Sequence, residues 1–151
     1  MAASLTLDIL TPTGPLSLGS NESGSSGRCL SKNMATFGVE VPGLLGELGI
    51  LPGHIPFIAP IKPGVVRFVL DGSEHRIAVG SGFLEVSEIG RVTILADRAR
   101  VPGDVDEAVV TKQRDALRTE LSTEKGSIDD PIVQTRRAEL EWLECQLRAL
   151  G

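Results

Sequence analysis

The chain has 151 residues, of which 41% are apolar and only 3% aromatic, and it carries a formal charge of −5 at pH 7. That length fits one domain, or one domain with a small appendage, and with four Phe, one Trp and no Tyr its core must be aliphatic. The acidic balance and the lack of stacking rings argue against a nucleic-acid binder, and no apolar run approaches the roughly 20 residues that span a bilayer.

The first element is a strand. Leu5, Leu7 and Ile9 alternate with Thr6 and Asp8, the period-two pattern of a strand with one wet face. The start, MAAS, has no basic or long apolar region, so no secretory signal is expected. Pro12, Gly14 and Pro15 punctuate the strand as a turn. Residues 19–27, GSNESGSSG, are small and of low complexity and read as a surface loop. The alternation resumes at Phe37, Val39 and Val41, followed by the Gly/Pro-dense stretch 42–56. Val66, Phe68 and Leu70 alternate with Val65, Arg67 and Val69, and Asp71-Gly72 marks a hairpin turn. Ile77 and Val79, then Leu84 and Val86, then Val92, Ile94 and Ala96 each define the inner face of a further strand. Short strands at this spacing point to an antiparallel sandwich or barrel.

After residue 103 the period becomes helical. Asp104 is a candidate N-cap, with Asp106 and Glu107 placed to favour the positive end of the helix dipole. Val110, Leu117 and Leu121 share a face. Gly126 and Ser127 break the run, and Asp129 or Asp130 caps a second helix, with Pro131 in its first turn. Leu140, Leu143, Leu147 and Leu150 form a stripe along it. The fold class is therefore α+β: an antiparallel sandwich or barrel over 1–103 and a two-helix hairpin over 104–151. The first part holds 9 acids and 8 bases, the second 11 acids and 7 bases, so most of the net charge belongs to the hairpin.

No catalytic constellation emerges. Two histidines, His54 and His75, and two distant cysteines, Cys29 and Cys145, are too few for a zinc site, and no HExxH or CxxC spacing occurs. There is no GxSxG elbow and no GK[ST] phosphate loop. No enzyme, metal or cofactor is expected, and the cysteines read as unpaired thiols. Lys112, Arg114, Arg118, Arg136, Arg137 and Arg148 are dispersed among acids on the hairpin. They read either as a solvated face with i to i+4 pairs or as a detachable arm offering bases to an acidic partner. On the residues alone, a free-standing sandwich that binds a small ligand and dimerises through the hairpin remains an alternative.

Residues 41–56, VPGLLGELGILPGHIP, resemble the signature of the epsilon subunit of F-type ATP synthases. APIKPG at 59–64, GSGFLEV at 80–86 and VTILADRA at 92–99 continue the likeness in order, over nearly the whole chain. The resemblance implies a sandwich of about ten strands followed by two helices. It also implies a non-catalytic rotor subunit bound to gamma and resting on the c-ring, coupling proton flow to ATP synthesis. The chain would then be peripheral, on the cytoplasmic side of a bacterial plasma membrane. By the same resemblance, Gly46, Glu47, Leu48 and His54 match the ring-facing part. The hairpin would extend transiently into the alpha/beta head to block hydrolysis, with Arg114, Arg118, Arg136 and Arg137 meeting acids there. The family's nucleotide motif, [IL]-D-x-x-R-A, is incomplete. Asp106 is kept as a possible remnant, but Val109 and Val110 replace Arg and Ala, so tight ATP binding is not expected. The 19–27 stretch reads as an insertion.

Overall fold

The computed structural model describes residues 5–12, 14–15, 17–18, 28–29, 34–36, 38–70 and 72–151. The 19–27 loop and the Phe37 position lie outside them. Among the described residues, thirteen strands come first: β1 (Leu5–Thr11), β2 (Gly14–Pro15), β3 (Ser17–Leu18), β4 (Arg28–Cys29), β5 (Met34–Thr36), β6 (Val39–Gly43), β7 (Gly46–Ile50), β8 (Phe57–Ile61), β9 (Gly64–Leu70), β10 (Ser73–Val79), β11 (Gly82–Val86), β12 (Arg91–Ala96) and β13 (Ala99–Arg100). Two helices follow, α1 (Glu107–Thr123) and α2 (Pro131–Ala149).

Eleven of the strands make one hydrogen-bonded sheet in the order β13-β10-β9-β6-β8-β11-β12-β1-β2, with β7 on β6 and β5 on β1; β3 and β4 pair separately. The sheet folds over on itself. β5 returns toward β9, where the Thr36 hydroxyl donates to the Val69 carbonyl at 2.8 Å. The alternating residues read from the sequence fill the space between the layers. Leu5, Leu7, Ile9, Val39, Val41, Val66, Phe68, Ile77, Val79, Leu84, Val86, Val92 and Ile94 are all buried in one cluster. Aliphatic packing of this kind supplies the main stabilisation. The β9–β10 hairpin turns at Gly72 with φ +78°, a left-handed backbone that glycine adopts without strain.

One pairing departs from an all-antiparallel sandwich. β1 runs parallel to β12, with Leu7 opposite Val92 and Ile9 opposite Ile94. No short turn links these strands, so nothing local imposes an antiparallel direction.

The hairpin is folded and docked. α2 lies on the outer face of β9 and β10, and α1 packs against α2. Val65 and Ala78, opposite each other across β9 and β10, would face water in a bare sandwich. Here they are buried with Trp142, Cys145 and Ala149 in a second, smaller cluster. The first-helix cap is Asp106 rather than Asp104: its carboxylate accepts from the Val109 N–H at 3.2 Å. Asp104 instead ends a 3-10 turn over Pro102–Asp104. Asp130 caps α2, accepting from the Ile132 N–H at 2.9 Å, with Pro131 at the first turn.

Candidate functional site

Two regions carry the expected site residues: the β6–β7 hairpin and the docked arm. Gly46, Glu47 and Leu48 belong to β7 itself, not to a loop. Glu47 is exposed, and Leu48 packs partly against the main core. His54 lies four residues beyond the other end of β7. Its Nδ1–H donates to the Ile55 carbonyl at 2.9 Å, and its ring tilts against Phe57 at 4.8 Å. The carbonyl can only accept, so the proton sits on Nδ1. Glu47 and His54 therefore stand toward opposite ends of the strand.

The tip beside Glu47 holds a feature that the sequence reading passed over. Leu44 and Leu45 form the turn between β6 and β7, and Leu45 is fully exposed. Two leucines enclosed by Gly43 and Gly46 were the available signal. A crevice of about 310 Å³, lined by Pro42, Glu47, Lys62, Glu141, Glu144 and Arg148, brings this tip beside α2.

On the outer face of the sheet, Pro60, Phe83, Leu95 and Leu10 stand in one cross-strand row over β8, β11, β12 and β1. Phe83 and Leu95 are exposed, as is Ile58 on the same face. Contiguous apolar surface of this kind is characteristic of a partner interface.

On the arm, the four nominated arginines are treated differently. Arg118 bridges the helices to Glu144 at 2.7 Å, and Arg136 bridges them to Glu124 at 2.7 Å. Arg114 pairs with its neighbour Asp115 at 3.1 Å. Arg137 is exposed and makes no ion pair with a described residue. Asp106 is committed to its cap, and Val110, at the motif's alanine position, is buried.

The joint between arm and sandwich involves residues that the leucine stripe concealed. Trp142, Cys145 and Ala149, spaced three and four apart, face the sheet. Leu143 turns instead toward Ala116 and Leu117 of α1. Arg98, between β12 and β13, donates to Glu139 at 2.6 Å and lies over the Trp142 ring at 4.7 Å. Burial pushes the Cys145 thiol up from 9.0 to about 12. Among the described residues, no group of three or more His, Cys, Asp or Glu is placed to hold a metal ion. Among them, no helix is long and apolar enough to cross a membrane.

A folded-over β-sandwich with a two-helix hairpin laid on its outer face defines the class: a sandwich module with an appended helical arm. The family model described as "ATP synthase, Delta/Epsilon chain, beta-sandwich domain" matches residues 28–102. An ATP synthase epsilon chain of Desulfitobacterium hafniense is 38% identical over 98% of this chain and 96% of its own. One from Bordetella petrii is 45% identical over 72% of this chain and 74% of its own. In a solved structure of the Euglena gracilis mitochondrial ATP synthase (OSCP/F1/c-ring), one chain superposes with a TM-score of 0.67 at 20% identity, covering 91% of this chain and 90% of that one. A chain of the Tetrahymena thermophila mitochondrial ATP synthase central stalk and c-ring gives 0.55 at 12% identity, covering 100% of this chain and 98% of that one.

The chain belongs to the ATP synthase epsilon chain family. It is accordingly a non-catalytic subunit, and the ligand-binding alternative is set aside.

Proposed function

We propose that the chain is the foot of a bacterial-type central stalk, with a sandwich domain over 1–103 and a regulatory arm over 104–151. The sandwich binds gamma through the apolar row of Phe83 and Leu95. The tip that includes Gly46, Glu47 and Leu48 meets the c-ring, and His54 lies toward the opposite end. The subunit is peripheral, on the cytoplasmic side of the membrane. The arm swings into the alpha/beta head and restrains ATP hydrolysis, with Arg114, Arg118, Arg136 and Arg137 as its contacts.

The observation that supports this reading best is the pair of separate cores. The hairpin reaches the sandwich through a cluster of five side chains distinct from the main cluster. A small interface of that kind separates without unfolding the sandwich. Deleting residues 104–151 tests it. Hydrolysis by the assembled synthase rises and assembly survives; unchanged hydrolysis refutes the inhibitory arm.

The ring contact has its own test. Gly49 has nothing within 4 Å of where a Cβ would stand, so Gly49→Leu starts its side chain in open space and alters the exposed face of β7. Gly46, at φ +141°, is a poorer probe because any side chain there is strained. Gly49→Leu weakens coupling between proton flow and ATP synthesis; full coupling would remove the exposed face of β7 from the ring interface.

A further inference from the structure

We propose that Arg98 is the latch that holds the arm against the sandwich and so sets how often the arm is free. The proposal rests on the inhibitory-arm reading above, and its test separates the two. Arg98 stands on the sandwich, in the two-residue link between β12 and β13, and both of its contacts lie on α2. One edge of the guanidinium donates to Glu139 at 2.6 Å, and its central carbon lies over the Trp142 ring, 4.7 Å from the centroid. Glu139 and Trp142 are three positions apart, hence neighbours on one helix face. A single planar cation thus engages an anion and a π-face of the same helix, which a lysine cannot do with equal geometry.

The ion pair joins sandwich to arm, whereas Arg118–Glu144 and Arg136–Glu124 lie within the hairpin. The Arg98 Nε is buried without a hydrogen-bond partner. The polar side-chain contacts that the structure gives Arg98 therefore both lie on α2, while its backbone carbonyl anchors it to the sandwich by accepting from the Gly80 N–H at 2.8 Å. Of the other side chains of the joint, Val65, Ala78 and Ala149 are small and add area without direction, and the Cys145 thiol adds only a long contact to the Val79 carbonyl at 3.8 Å.

Cys145 supplies the measurement. It is fully buried at the joint, and its thiol is held in the protonated form, so it reacts with a thiol reagent only when the arm opens. When reclosing is fast, the labelling rate tracks the open population. In the full-length chain carrying Cys29→Ser, Arg98→Gln labels about tenfold faster than the parent, since it loses a half-exposed ion pair and a cation–π contact together. Glu139→Gln, which keeps the ring contact, accelerates labelling by only about threefold. Arg98→Lys falls between Arg98→Gln and the parent. Added salt accelerates the parent but not Arg98→Gln, because only the parent has the Arg98–Glu139 pair across the joint to screen.

Labelling of Arg98→Gln within about twofold of the parent, with helicity unchanged, overturns the latch whatever the synthase does. In the assembled synthase, Arg98→Gln lowers hydrolysis because the arm is free more often. Faster labelling with unchanged hydrolysis leaves the latch standing and refutes the inhibitory arm.

Discussion

Replacing Trp142 with alanine should separate the two halves of the molecule. Trp142 is 4% exposed and is the largest side chain of the five-residue joint. An indole hides about 150–250 Å², and at about 25 cal/mol per Å² that is roughly 4–6 kcal/mol, an upper bound. Core Trp→Ala substitutions cost about 3–5 kcal/mol, and here the cation–π contact with Arg98 is lost as well. Val65, Ala78, Cys145 and Ala149 are too small to fill the void. A loss of about 3–4 kcal/mol corresponds to a shift of about two to three decades in the open population. Hydrogen exchange followed by mass spectrometry reads it directly: amides in the last two turns of α2 should lose about 10²- to 10³-fold protection. Amides of β9 to β12 should keep theirs, because the inward side chains of these strands lie in the main cluster. Protection in α2 falling by less than about tenfold, or falling in step throughout the sandwich, would refute the division into two cores.

Other outcomes follow from the same contacts. Cys145 ionises near 9.0 when exposed but only near 12 when buried. Docking is therefore unaffected by this group below pH 9.0 and weakens as pH rises from there toward 12, by at most about 1.4 kcal/mol per pH unit. Arm opening compared at about pH 8 and about pH 10 should show less pH dependence in Cys145→Ala than in the parent. Asp106→Ala should cost about 1 kcal/mol in thermal or urea unfolding while Asp106→Asn costs little, since asparagine also caps; a large loss with Asn would mean that the charge has another task. Gly82→Ala should cost about 2–3 kcal/mol or prevent folding, because its Cβ would sit 1.7 Å from the Leu95 carbonyl oxygen. Gly49→Ala, over open space, should stay within about 0.5 kcal/mol of the parent in the same melt.

Much of the sandwich was legible because its signals are local. Leu84 and Val86, or Val92 and Ile94, reveal their inner face by alternation alone. Asp130-Pro131 marks the start of α2 by cap chemistry. What escaped depends on partners distant in sequence. Val65 and Ala78 occupy nominally wet positions and are dry only because α2 lies over them. The stripe of Trp142, Cys145 and Ala149 was hidden beside a more conspicuous row of leucines, of which Leu143 is buried and Leu150 is not. The arginines could be nominated by charge, but not their pairing. Arg118 and Glu144 are 26 positions apart, and no i to i+4 rule reaches that far.

The parallel seam between β1 and β12 has a consequence for how the chain is made. It zips together residues about 85 positions apart, the kind of distant contact that slows folding. A nascent chain cannot close the sandwich until β12 has emerged, although the β9–β10 and β11–β12 hairpins can form before that. The helices come last, and the face of β9 and β10 that they cover is already in place. The order of synthesis thus delivers the arm to a finished surface, and the seam, not the arm, sets the pace.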